Sequence, residues 1–283
     1  IDPLFNFSIG NQNYDYRYFE NVRGLRVIGD LGANFSFETR IYENQFFYPE
    51  YIDEIASERG VALGVGRSKE FKNYGHDAGL ASGYISFSPL KELNIQFGHG
   101  RHFFGNGYRS LLLSDYAPDY PYFSAQISLL DGLLSYKTLS AWYHSLDRRL
   151  ATSSSEALFK QKGALFNMLS IQPNNKIEIS FFEGSIHKTY DDSLGSISPN
   201  FSRYTPIFGV SSLMNASKTT NIIYGINFSI SPLKQLNIYS QFMLNSESKS
   251  GMQFGIKALP DFKKIYSYLL LEYNFTEAFA YSM

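Results

Sequence analysis

The least ordinary run in the chain lies between Gly98 and Asp115, where four glycines are interleaved with His99, Arg101, His102, Tyr108 and Arg109 before a Leu111-Leu112-Leu113 block closes on Ser114-Asp115. Guanidinium forks grip carboxylates with paired hydrogen bonds, and aromatic faces pack on sugar rings. Arg101, His102, Tyr108, Arg109 and Asp115 are therefore a candidate contact set for a polysaccharide or an anionic sugar. The same residues also admit a structural reading. The glycines permit a tight loop folded into a barrel mouth, and Arg109 can pair with Asp115 or with another acid across the lumen.

Other chemistries find less support. His99 and His102 are three apart, so on a strand they face opposite sides and cannot share a metal. His76-Asp77 and His144-Ser145 with Asp147 invite a hydrolase reading, but no Gly-x-Ser-x-Gly elbow accompanies them. Gly64-Val65-Gly66 and Gly98-His99-Gly100 fall short of a dinucleotide fingerprint. The absence of cysteine excludes disulfides, thiolate metal sites and cysteine nucleophiles. A net charge of −1 gives no electrostatic case for nucleic acid. No cofactor and no metal are expected.

The elements that must position this run read as strands. Aromatics make up 17% of the chain, with 22 Tyr and 25 Phe against one Trp. Mean hydropathy is −0.21, and no window approaches the ~18–20 apolar residues of a membrane helix. Alternation marks strands over Leu4–Gly10, 22–28, 33–41, 80–88, 93–98, 123–129, 133–144, 164–172, 176–186, 221–231, 236–244, 252–259 and 265–275, with a short Gly-rich strand at 61–67. Between them lie a loop through Glu20, a long connection over 46–60 with a helix at Pro49–Arg59, and loops at 69–79, 145–162 and 187–219. In the best-patterned strand Ile222, Tyr224, Ile226, Phe228 and Ile230 form one face, and Asn221, Gly225, Asn227, Ser229 and Ser231 the other.

Ser88-Pro89-Leu90-Lys91-Glu92-Leu93-Asn94-Ile95 recurs as Ser231-Pro232-Leu233-Lys234-Gln235-Leu236-Asn237-Ile238, with a weaker version at Gln172–Ile177. Proline stops one strand and the next begins. Short turns of this kind alternate with long loops, as on the two rims of a transmembrane barrel, whereas a soluble sandwich has no reason to sort turn lengths by parity. The fold class expected is all-β: an antiparallel transmembrane outer-membrane β-barrel with about fourteen visible strands, residues 1–283 forming one domain. Charged strand residues (Glu38, Arg40, Lys137, Glu178 and Glu272) should point into the lumen, where mixed signs favour a plugged or salt-bridged interior.

The Gly98–Arg101 and Phe104–Asp115 runs, with Tyr120-Pro121-Tyr122, resemble the signature of Bacteroidota outer-membrane barrels of the capsule-assembly Wzi-like and gliding-motility RemB-like group. Arg23-Gly24, Phe47-Tyr48-Pro49-Glu50-Tyr51, Ser86-Phe87-Ser88-Pro89, Glu272-Tyr273-Asn274 and Tyr281-Ser282 fit the same pattern. The resemblance implies a barrel of about eighteen strands and a non-enzymatic role in surface polysaccharide attachment or gliding. It implies as partners the bilayer with its lipopolysaccharide, surface polysaccharide, and outer-membrane proteins such as those of the type IX secretion translocon. The group's N-terminal helical portion has no counterpart here, and the chain stops where the group continues, so it is expected to be part of a longer polypeptide. A diffusion porin is the competing reading and a barrel hydrolase a third.

Overall fold

Alternation of large apolar with small or polar side chains is sorted onto two faces by a pleated strand. The computed structural model describes all residues except 14–15, 73–74, 149–158, 192–194, 198–200, 216–219, 261–266 and 282–283. The chain runs β1 (Asp2–Asn13), β2 (Tyr16–Leu31), β3 (Phe35–Phe47), α1 (Glu50–Arg59), β4 (Val61–Ala62), β5 (Gly66–Arg67), β6 (Lys69–Phe71), β7 (Gly75–Leu90), β8 (Leu93–Gly100) and β9 (Tyr120–Leu129). It continues with β10 (Leu134–Arg148), β11 (Phe159–Asn174), β12 (Ile177–Lys188), β13 (Tyr190–Asp191), β14 (Gly195–Ser196), α2 (Val210–Asn215), β15 (Thr220–Leu233), β16 (Leu236–Asn245), β17 (Ser250–Ala258) and β18 (Leu269–Thr276).

Fourteen strands form one antiparallel sheet in the order β1-β2-β3-β7-β8-β9-β10-β11-β12-β15-β16-β17-β18, with β6 beside β7. This is the all-β meander expected of a barrel wall. β1 and β18 are its edges, and with thirteen strands in series they run in the same direction. The connections at 32–34, 91–92, 130–133, 175–176 and 234–235 are tight and share one rim, while those at 48–74, 101–119 and 189–219 are long and share the other. The alternation is not strict: two residues join β1 to β2 and four join β16 to β17 on the long-loop rim, and ten residues, 259–268, join β17 to β18 on the tight-turn rim.

The sheet is rolled. Phe104 lies against Lys137 of β10 and Phe182 of β12, and four residues later Tyr108 bonds Glu272 of β18. Through Arg101 and His102 the same segment borders a cavity lined by Ser8 of β1, Phe19 of β2 and Glu38 of β3, so one short stretch meets both ends of the strand series.

The two faces are inverted relative to a soluble sandwich. Outward positions are mainly apolar and open, with Phe5 at 78% exposure and Leu271 at 73%, whereas inward-facing Asn227, Gln241 and Gln253 are at 0%. The face assignment read for 221–231 holds, as do the inward directions of Glu38, Arg40, Lys137, Glu178 and Glu272. Glu38, inward on β3, receives a 2.9 Å hydrogen bond from Arg26 and also pairs with Arg40.

Several boundaries differ from the sequence expectation. Of the loop expected through Glu20, residues 11–13 belong to β1 and 16–20 to β2, where Glu20 and Phe19 pair with both Ser8 and Ile9 of β1 and Phe46 and Phe47 of β3. Residues 61–67 form a small hairpin of β4 and β5 rather than one strand. Residues 69–79 are largely strand, since β6 and the start of β7 pair with each other and with β3. In each case backbone pairing with a neighbour overrode a weakly apolar local sequence. The helix expected at Pro49–Arg59 is present as α1, while the expected start of the last strand at Ile265 lies outside the described residues.

Candidate functional site

The segment between β8 and β9 leaves the long-loop rim and folds into the lumen. It begins as a miniature hairpin in which the Phe104 N–H donates to the Leu113 carbonyl at 3.0 Å. The Ser110 hydroxyl bonds the Phe104 carbonyl and, at 3.1 Å, Gln241 Oε1. Gly105 makes the turn possible: its φ of +113° is open to glycine, and a Cβ there would overlap the Gln241 amide.

The wall strands hold this segment by its backbone. Gln241 Oε1 accepts from the Leu111 N–H at 2.8 Å, and Gln253 Nε2 donates to the Arg109 carbonyl at 2.6 Å. Lys257 Nζ donates to the Asn106 carbonyl at 2.5 Å. Glu272 accepts from the Tyr108 N–H at 2.7 Å, from the Tyr239 hydroxyl at 2.5 Å and from Asn274 at 2.8 Å. Beyond β18 the chain turns inward, so that the Tyr281 hydroxyl donates to the Leu111 carbonyl at 2.7 Å. Burial pushes the Tyr281 phenol up to about 12, keeping it a donor. Leu111, Leu112 and Phe104 complete an apolar cluster with Leu139, Phe166, Phe182, Ile223 and Met243. The half of the lumen facing β9–β18 is thereby narrowed, leaving a cavity of about 640 Å³ bordered by Arg109, Leu111, Tyr143, Ile223 and Tyr281.

The other half keeps a cavity of about 990 Å³ between the segment and the inner faces of β2, β3 and β7. Its lining includes Glu20, Glu38, Arg40, Tyr42, Tyr48 and Tyr84 from the wall and its loops, with Arg101, His102, Asp115, Asp119 and Tyr122 on the plug side. A cavity edged by tyrosines, carboxylates and guanidinium groups can take a polar ring compound by stacking and hydrogen bonding.

The sequence-derived contact set is divided by the fold. Arg101 donates to Asp119 at 2.5 Å and to the Gly64 carbonyl at 2.7 Å, tying the plug to the loop after α1. Arg109 pairs with Asp115 at 2.9 Å and lies over the Tyr108 and Tyr116 rings. Arg101, His102 and Asp115 border the 990 Å³ cavity, whereas Tyr108 and Arg109 face away from it. His102 stacks edge-on against Tyr122 at 4.0 Å and its backbone N–H donates to the Tyr120 oxygen. Burial, with Lys137 nearby, lowers its imidazole to about 3, so it is a neutral ring, with Nδ1 3.4 Å from the Tyr120 hydroxyl.

His76 is bonded to Asp53 at 2.8 Å and lies 3.5 Å from Ser68, not paired with Asp77 in a catalytic set, and both His76 and Ser68 are buried. The Asp147 side chain lies outside the described residues. Sequence reasoning missed Gln241, Gln253 and Tyr239 as holders of the plug. Their signal was a polar amide or phenol in an otherwise small-residue inward face.

No family model matches the chain, and no curated protein does. Among solved structures, the crystal structure of Pseudomonas aeruginosa OpdQ is similar at a TM-score of 0.39 and 11% identity, over 95% of this chain and 78% of that one. The barrel reading rests instead on strand order, inverted faces and the rolled wall.

Proposed function

We propose that this protein is an outer-membrane β-barrel that acts at its lumen on a small polar, sugar-like solute, without catalysis. The observation that carries the reading is the 990 Å³ cavity beside the inward-folded 101–119 segment, within a wall whose outer face is mainly apolar. In this reading the segment constricts the lumen and the tyrosine-lined cavity, the larger of the two beside it, is the route, giving a narrow channel of porin type. Purified protein in planar bilayers should show small conductance steps that added saccharides reduce. A barrel that neither conducts nor binds saccharide would overturn this reading.

A second reading draws on the plug's anchorage from β16, β17, β18 and the turn at Tyr281. So many ties suit a closed barrel that retains surface polysaccharide or works within a gliding or type IX secretion assembly, as the Wzi-like and RemB-like resemblance implies. Pull-down from native outer membranes distinguishes the cases: recovery of glycan or of secretion components, with silence in bilayers, favours the closed barrel.

A further inference from the structure

The outer wall is mainly apolar. Arg23 and Glu43 form an exposed pair on the outward face of β2 and β3, toward the long-loop rim, and a second polar patch lies over β10–β12. There Thr138, Asn167 and Glu183 stand in one row across three paired strands, Ser140 and Ser185 in the next, and His187 above them. All of these positions face outward, because they share a face with Phe123, Tyr224 and Ile222 on the neighbouring strands. Yet Asn167, Glu183 and Ser185 are each at 0% exposure.

What covers them is the chain itself. After β14 the segment 202–213 descends the outside of the barrel. The Tyr204 ring packs on Trp142 and its hydroxyl bonds His187 at 3.2 Å. Lower down, the Tyr136 hydroxyl donates to the Pro206 carbonyl at 3.1 Å. Glu183 receives the Gly209 N–H at 2.8 Å, the Ser212 N–H at 3.2 Å and the Ser212 hydroxyl, holding the first turn of α2. Glu183 lies six residues above the tight-turn rim, roughly 15 Å along a tilted strand, near the middle of the apolar band.

The strap's polarity is sorted. The Ser212 side chain and the Gly209 and Ser212 N–H groups bond the wall, and Arg203 lies at the upper end near His187, while Pro206, Ile207, Phe208 and Leu213 are exposed, Leu213 at 84%. Turns and a short helix can lie at membrane depth only where their polar groups are satisfied by protein. Here the N–H groups of Thr205, Ile207, Gly209, Val210, Ser212 and Leu213 all have acceptors. We infer that segment 202–213 is an intramembrane strap, with lipid acyl chains as the partner of its outer side and Glu183 as the buried anchor of its inner side.

The inference rests on the membrane-barrel reading, and the test separates the two. Because the chain has no cysteine, single nitroxide labels can be placed at Leu213→Cys on the strap, Phe228→Cys on the bare wall and Lys249→Cys on the rim, in liposomes. Both Leu213→Cys and Phe228→Cys should collide preferentially with oxygen, and Lys249→Cys with a water-soluble nickel chelate. If Phe228→Cys reports lipid and Leu213→Cys water, the strap is wrong and the barrel stands. If Phe228→Cys itself reports water, the membrane reading fails. Adding Glu183→Ala or, where that variant does not fold, Ser212→Ala should raise the nickel accessibility of Leu213→Cys several-fold; no change with a folded variant would overturn Glu183 as the anchor.

Discussion

Gln253 on β17 donates its amide to the Arg109 carbonyl oxygen at 2.6 Å, joining residues 144 positions apart. A side chain fixed by the wall thus satisfies the backbone of a segment with no sheet neighbour of its own at that point. Losing such a donor removes a partly buried hydrogen bond, worth about 0.5–1.5 kcal/mol. Gln253→Ala is expected to lower unfolding free energy in detergent by that amount and to increase conductance in planar bilayers. Unchanged stability and conductance would show that the plug does not depend on this bond.

Gly105→Ala should be more damaging than alanine at the neighbouring exposed positions. The φ of +113° is strained for any residue with a Cβ, and the new methyl would press on Gln241 and Ser110. A loss of more than about 1 kcal/mol is expected, read as a lowered denaturation midpoint. Wild-type stability would contradict the turn geometry.

The two Ser-Pro-Leu-Lys turns are structural twins. Asn94 Nδ2 donates to Ser86 and Ser88 at 2.7 and 2.9 Å, and Asn237 Nδ2 donates to Ser229 and Ser231 at 2.7 and 3.0 Å. Asn94→Ala and Asn237→Ala should therefore cost similar amounts, about 1 kcal/mol each, and should add in the double variant because the sites share no partner. Denaturant titration of the three variants checks both statements.

Acid should loosen the plug through His102. Burial lowers its folded-state value to about 3 from the ordinary 6.5, so between those values the unfolded chain binds the extra proton. The contribution of neutral His102 is complete above pH 6.5 and is lost progressively as pH falls toward 3. His102→Gln should flatten stability against pH over that window. A variant whose pH dependence matches wild type would remove His102 from the account.

Much of the wall was legible in the sequence, because period-2 alternation is a local property. Phe5, Phe7 and Ile9 against Asn6, Ser8 and Gly10 need no knowledge of neighbours to be sorted onto two faces. The repeated Pro turns carried the same local information, and their twin hydrogen bonds follow from the shared Ser and Asn spacing. The run at 98–115 was also recognisable as unusual from its glycines and arginines.

What tertiary structure decided was which groups meet across long separations. Arg109 took Asp115, six residues on within the same segment, a pairing the sequence already allowed, whereas rolling of the sheet gave Glu272 to the Tyr108 backbone, 164 residues away. Likewise, Glu183 at an outward position of β12 reads as a misplaced charge until the strap descends over it. Alternation is set residue by residue along a strand. The pairing of a buried carboxylate with distant N–H groups depends instead on the curvature of the wall and the path of its longest loop.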